Sequence, residues 1–411
     1  MRIVLILSCL LYSNISHLQI SGQNNAQNSS VNGNLEIREE TIITYPDSSS
    51  FDQNNDIDKS LMEPPAVDNY SIKPSSSNNK GSETKYKSIN NIELNNETED
   101  LSVVSTLITF DKKVRRKSYR KSPTVEEQNY LSQLVKQLGN SNKASFEYNY
   151  YNYILSNYNV DSIHFLKQAE KIKPYNADVQ IQMAAYHLIK KNHDSASIYL
   201  NHLVESSRID SVAICYAEDL LVSVPQKGVL VTHGVDDTYA IAYLQHYLFE
   251  RRDILLIPLD FLQSEFFRNG LKKNGFILPD NNEIDCNYLN EFCALNASKN
   301  IYLSLTIPKD YFLQIKSNLY TEGLTFGYSK DGNLSTDSNE ALFIQMNKKL
   351  IFNSVDEKAK QLSANYLPML LELKREYMAD NANVELEAID KMIIQIAIQA
   401  DKYEQLLKTQ K

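Results

Sequence analysis

The sequence predicts an α/β fold joined to an all-α one: helical hairpins, then a mostly parallel sheet with crossover helices, then a helical carboxyl-terminal tail. Three observations predict it. From about Glu126 to Val224, apolar residues recur every three or four positions, the period of a helix face. From Val229 the pattern becomes short continuous apolar runs separated by amphipathic stretches, as strands buried on both faces and their crossovers require. From Glu357 to Leu407 the helical period returns, with a break at Asp380-Asn381.

The chain starts with Met1-Arg2, an apolar run from Ile3 to Tyr12, and polar residues up to Gly22-Gln23. A short charged start, a short apolar stretch and a small residue before a polar chain describe a secretory signal over residues 1–22, cleaved after Gly22. The apolar run is far below the roughly 20 residues that span a bilayer, and no later segment is apolar enough to do so. An exported protein of the periplasm or cell envelope is expected.

Residues 23–121 read as an arm. Up to about residue 100 it is rich in Asn, Ser, Asp and Gln without periodicity, and such a stretch buries too little apolar surface to offset its ordering entropy. Leu101-Ser-Val-Val-Ser-Thr-Leu-Ile-Thr-Phe110 is a β-prone run, expected as a strand packed on its own domain or as a docking motif. The dense basic stretch that follows, over 112–121, carries Lys112, Lys113, Arg115, Arg116, Lys117, Arg120 and Lys121. It reads either as a solvated linker or as a contact with an anionic surface such as lipid headgroups, acidic glycan or an acidic partner.

Over 122–225, turns at Gly139-Asn140, Pro174-Tyr175 and Asn192-His193 divide the helical pattern into short helices. Two units align about 34 residues apart: Phe146, Tyr150 and Tyr153 face Ser162, Leu166 and Ala169, and Met183, Ala184 and His187 face Ala196, Leu200 and Leu203. Small residues at Ala184 and Ala196 suit two helices that approach closely. In these features the stretch resembles the tetratricopeptide-repeat family, although the family's Trp and Gly are missing and Tyr150 stands where a small residue belongs. The resemblance implies a concave groove that takes a protein or peptide, here an envelope protein; support of the next domain is the plainer alternative.

Over 226–355, Val229-Leu-Val-Thr232, Ile254-Leu-Leu-Ile-Pro-Leu259 and Ile301-Tyr-Leu-Ser-Leu-Thr-Ile307 are the expected strands, and Thr238 to Glu250 and Phe261 to Lys273 the expected helices. Leu324 to Tyr328 and Ala341 to Asn353 add further strands or a short helix, with a turn at Asp331-Gly332-Asn333. Chemistry concentrates in the turn after the first strand. His233, Asp236, Asp237 and Thr238 lie at its carboxyl edge, where open α/β sheets bind ligands. Asp236 and Asp237 suit a hard divalent cation, and Glu322 is expected to complete a metal or sugar-hydroxyl site from a neighbouring strand. The same residue types also serve as helix amino-terminal caps. The chain carries no glycine-rich phosphate loop and no serine elbow.

The run Val229 to Tyr239, then Tyr243-Leu-Gln245, Arg252-Asp253, Ile301 to Pro308 and Asn318 to Leu324 resembles, block by block, the soluble carboxyl region of protein-O-mannosyltransferase-like membrane proteins, common in Bacteroidota. It covers roughly residues 227–400. The resemblance implies a fold and an envelope-facing location, not transferase activity, because the family's carboxylates for glycosyl transfer are expected in a membrane part that this chain does not show. His233 stands where the family carries Asn, and Val235 where it carries Asp.

A formal net charge of -9 argues against a general nucleic-acid binder. Once the signal is removed, Cys215, Cys286 and Cys293 remain, an odd number for an oxidising compartment; Cys286 and Cys293 are a candidate pair. No CxxC pair exists, so a zinc site is not expected. With residues 356–411 as a helical tail, the sequence reads as an exported, non-catalytic envelope scaffold needing no cofactor. The alternative is a carbohydrate- or metal-binding module or glycan enzyme that uses the 233–238 turn, with a divalent cation.

Overall fold

The computed structural model describes residues 101–112, 125–281, 283–330, 339–352 and 356–409. The signal segment, the arm as far as residue 100, basic residues Lys113, Arg115, Arg116, Lys117, Arg120 and Lys121, and the turn at Asp331-Gly332-Asn333 lie outside the described residues. Lys112 is described and exposed at the end of a helix.

That helix, α1 (residues 101–112), corrects the β-prone reading of its segment. Val103, Leu107 and Phe110 are spaced four and three apart, so a helix places them on one face, and Leu107 is fully buried beside Leu131, Tyr150 and Tyr151. Buried Asp111 accepts a hydrogen bond from the Tyr151 hydroxyl at 3.2 Å, so this end of the arm belongs to the folded body.

Six helices follow: α2 (Val125–Ser141), α3 (Phe146–Leu155), α4 (Ile163–Ile172), α5 (Ala177–Ile189), α6 (His193–Glu205) and α7 (Ser211–Val222), and from α2 to α6 each packs on the next. Polar side chains start them. Ser145 accepts from the Tyr148 N–H at 3.1 Å, Asn176 from Val179 at 3.1 Å, and Asp210 from Ala213 at 2.8 Å. The positions aligned 34 apart, Tyr150 with Ala184, Leu166 with Leu200 and Ala169 with Leu203, are all buried.

The sheet comprises β1 (Val229–Thr232), β2 (Leu255–Pro258), β3 (Ile301–Ser304), β4 (Leu319–Glu322) and β5 (Thr325–Tyr328), in the order β2-β1-β3-β5-β4. Helix α8 (Val235–His246) connects β1 to β2; α9 (Glu265–Lys273) and α10 (Cys286–Leu295) connect β2 to β3. Strand β1 is parallel to both neighbours, whereas β5 is antiparallel to β3 and β4. The sheet is therefore mixed rather than mostly parallel. Only Gly323 and Leu324 separate β4 from β5, and so short a link can join only antiparallel strands. Gly323 takes φ +58° there, a conformation that favours glycine.

Alternation along the strands feeds two cores. Val229, Val231, Ile301, Leu303 and Phe326 join Leu289 and Phe292 of α10 on one face. Leu230 and Tyr302 face the other way, into a core shared with α5 to α8 and with the tail. The tail consists of α11 (Asn339–Gln345), α12 (Lys349–Phe352), α13 (Glu357–Ser363), α14 (Leu367–Ala379), α15 (Asn383–Gln399) and α16 (Tyr403–Thr409). Helices α14 and α15 pack together across the break at Asp380-Asn381, where Asn381 is left-handed with φ +54°. Ala184 and Leu200, Leu230 and Tyr239, and Leu370 and Ile393 all belong to this one core, so helical unit, sheet and tail are fused.

A buried carboxylate ties the fusion together. Asp219 of α7 accepts the backbone N–H groups of Asn347 (2.7 Å) and Lys348 (3.0 Å) and the Tyr366 hydroxyl (2.5 Å). Burial, then the Asp219 charge, pushes the Tyr366 phenol far above its ordinary value. Cys286 and Cys293 open and near the end of a single helix, seven residues or about 10 Å apart by helical rise. That is beyond disulfide reach, and both are free along with Cys215. Among the described residues, no helix is long and apolar enough to cross a membrane.

Candidate functional site

Strand β1 delivers Thr232 to the carboxyl edge, and the chain reverses through His233 and Gly234 into α8. Gly234 is the cap residue, with φ 98° and ψ −173°, a region closed to side chains bearing a Cβ. The helix thus begins at Val235, three residues before the expected start at Thr238. Asp236, Asp237 and Thr238 lie inside its first turn rather than at the cap, and no side chain caps the end.

These side chains go to different partners. Asp237 is buried; its Oδ1 accepts the Thr238 N–H at 2.6 Å, and its Oδ2 accepts the His233 N–H at 3.3 Å. The same Oδ2 accepts the hydroxyl of Thr306, which follows β3 and lies 3.3 Å from the His233 carbonyl. Thr238 and Thr232 share a hydroxyl hydrogen bond of 2.9 Å. Below the turn, Asn365 donates to the Tyr216 hydroxyl at 2.9 Å; burial, then the Asp237 carboxylate, raises this phenol far above its usual value.

Asp236 points elsewhere, to Lys358 of α13 at 2.7 Å; the same ammonium bonds Asp210 at 2.9 Å. Burial opposes the charge on Lys358, but the two carboxylates outweigh it and raise its pKa. Burial likewise opposes the charge on Asp210, and there the Ala213 N–H and Lys358 win and lower it. His233 Nε2 lies 3.8 Å from Asp260 Oδ1.

Glu322 does not join this group. It shares a cross-sheet row with Thr232, Ser304 and Thr325, but β3 and β5 intervene. Three strand spacings put it about 14 Å away, beside Tyr302 and Tyr320. Among the described residues, no group of three His, Cys, Asp or Glu side chains is placed to hold a metal ion.

Next to the turn lies a cleft of about 100 Å³ between the helical unit and the sheet edge. Tyr153, Gln182 and Arg208 line it from the helical side; Gly234, Tyr239 and Asp260 line it from the other. Across the same junction the Tyr158 and Phe261 rings sit 5.7 Å apart, so the helical and α/β units touch beside the cleft. Sequence reasoning missed Thr306, Lys358, Asp260 and the helical wall. Thr306 had a signal, as a polar residue near the end of a strand-like run. Lys358, more than a hundred residues from its partners, had none. Comparison with family models, with curated proteins and with solved structures finds no match.

Proposed function

We propose that the chain is an exported, non-catalytic cell-envelope protein that holds other envelope proteins together. The observation that carries this reading is the use made of the acidic turn. Asp237 is engaged by Thr306, Thr238 and His233, and Asp236 by Lys358. A cation or sugar at residues 233–238 would have to displace those contacts. Meanwhile the end of the helical stack presents apolar side chains, Ile394 and Ile398 on α15 and Tyr403 and Leu407 on α16. Terminal elements of helical arrays ordinarily carry a polar outer face, so this end suits an apolar helical segment of a partner. The tetratricopeptide resemblance of residues 122–225 supports an assembly role, and the resemblance of residues 227–400 to envelope-facing tails supports the location.

The test is mild-detergent affinity purification of the native protein with mass spectrometry. Deleting the helical unit is uninformative because its core is shared, so the comparison is with Ile394→Glu/Ile398→Glu. The expected result is a stoichiometric envelope partner that this exposed double substitution removes without a change in Tm. Recovery of the wild-type protein alone would sink the proposal.

A further inference from the structure

We propose that the cleft between the helical unit and the carboxyl edge of the sheet binds a small zwitterion of the α-amino-acid class. The inference goes beyond the assembly reading and stands on different residues. Gln182 lies on its wall, is only 9% exposed, and its side-chain amide has no hydrogen-bond partner among the described residues. Its amide atoms keep contact with solvent in the cleft, so an unengaged donor and acceptor face whatever enters it. A polar ligand in the cleft would engage both.

The charges on the walls specify the ligand's two ends. The amino terminus of α8 reaches the cleft through Gly234 and Val235 and lacks a side-chain cap. Free helix N–H groups and the positive end of the dipole attract a carboxylate. Arg208, half-buried on the same cleft, makes no side-chain hydrogen bond or ion pair with the described residues and offers a planar fork for that carboxylate. For the ammonium end, Asp178 lies exposed at the rim and Asp260 lies half-buried within, with His233 Nε2 at the long distance of 3.8 Å from its carboxylate. The rings of Tyr153 and Tyr239 supply an apolar wall for the carbon between.

Size narrows the class. A cavity of about 150 Å³ admits benzene, so 100 Å³ suits a ligand of a few heavy atoms.

The experiment is isothermal titration calorimetry of the whole chain with glycine, L-alanine and L-serine, against serinamide, which lacks the carboxylate, and N-acetylserine, which lacks the ammonium. The expected result is saturable one-to-one binding of at least one free amino acid, with both blocked serines weaker by about tenfold or more, the scale of one lost charged hydrogen bond. Arg208→Gln should weaken the free acid but not the amide, and Gln182→Leu should abolish binding. Should Gln182→Leu fail to fold, Asp178→Asn at the exposed rim carries the same test. Absence of binding by all three amino acids at about 10 mM, weaker than any millimolar site, overturns the proposal. Equal affinity for serine and serinamide also overturns it. Loss of the envelope partner in Ile394→Glu/Ile398→Glu leaves this binding intact, so the two proposals fail separately.

Discussion

The Thr306 hydroxyl donates to the Asp237 carboxylate across the gap between the end of β3 and the first turn of α8. Chain direction diverges here, because β1 leads to β2 on one side while β3 lies on the other. Such a divergence is where open α/β sheets leave a ligand crevice. In this protein the Thr306 hydroxyl bridges it, and the cleft lies on the helical side.

Thr306→Val keeps the shape and removes the donor. Asp237 remains buried with one hydrogen bond fewer, so stability should fall by about 1–3 kcal/mol, read as a lower urea midpoint at unchanged m-value. A midpoint equal to wild type would show that the contact is dispensable.

Lys358→Met removes the link between Asp210, Asp236 and α13. The pairs are partly exposed, so the cost should be modest, about 1 kcal/mol or less. The sign with pH is fixed by the shifts. Asp210 is lowered, so its share is present above its unfolded value near 3.8 and is lost as pH falls through the folded value. Lys358 is raised, so its share is present below 10.5 and is lost as pH rises through its folded value. The difference between wild type and variant should therefore be flat near neutrality and shrink in acid, as denaturation at pH 7 and pH 3 would reveal.

His193 of α6 and His246 of α8 stack with ring centroids 4.1 Å apart, at a contact between the helical unit and the α/β unit. Burial, then His193 and Arg252, lowers the His246 pKa to about 4. Burial, then Arg252 and Lys191, lowers that of His193 against the opposing charge of Asp194. The unfolded chain takes up these protons first as pH drops below 6.5, so stability should be level above that value and decline towards pH 4. Urea midpoints from pH 7.5 down to about 4.5 should track this decline, and His246→Phe should flatten it.

Leu107→Ala tests whether α1 belongs to the body. A fully buried leucine truncated to alanine costs about 2–5 kcal/mol, whereas a residue in an unstructured arm would cost nothing measurable in thermal unfolding.

Strands β1, β2 and β3 were legible because continuous apolar runs are a local property, although only β1 and β3 are buried along their whole length and Leu255 of β2 is exposed. The helix at residues 101–112 was misread because Val103, Val104 and Ile108 favour strands by residue type, while the spacing of Val103, Leu107 and Phe110 favours a helix, and burial followed spacing. Helix α10 carried an unused signal in Asp285, whose carboxylate accepts the Tyr288 N–H at 2.9 Å. Asp236 and Asp237 were correctly placed at the sheet edge, but their partners Lys358 and Thr306 arrive from distant segments. Glu322 failed for the same reason: spacing along the chain says nothing about β5 standing between it and β3.

The core that joins Ala184 and Leu230 to Leu370 and Ile393 imposes an order of events on synthesis. The part of the sheet at β4 is not closed until α14 has left the ribosome. A nascent chain, or one cut short before α14, presents the β4 edge of the sheet to chaperones and proteases. A chain that has all five strands but lacks α14 therefore still shows β4 to quality control.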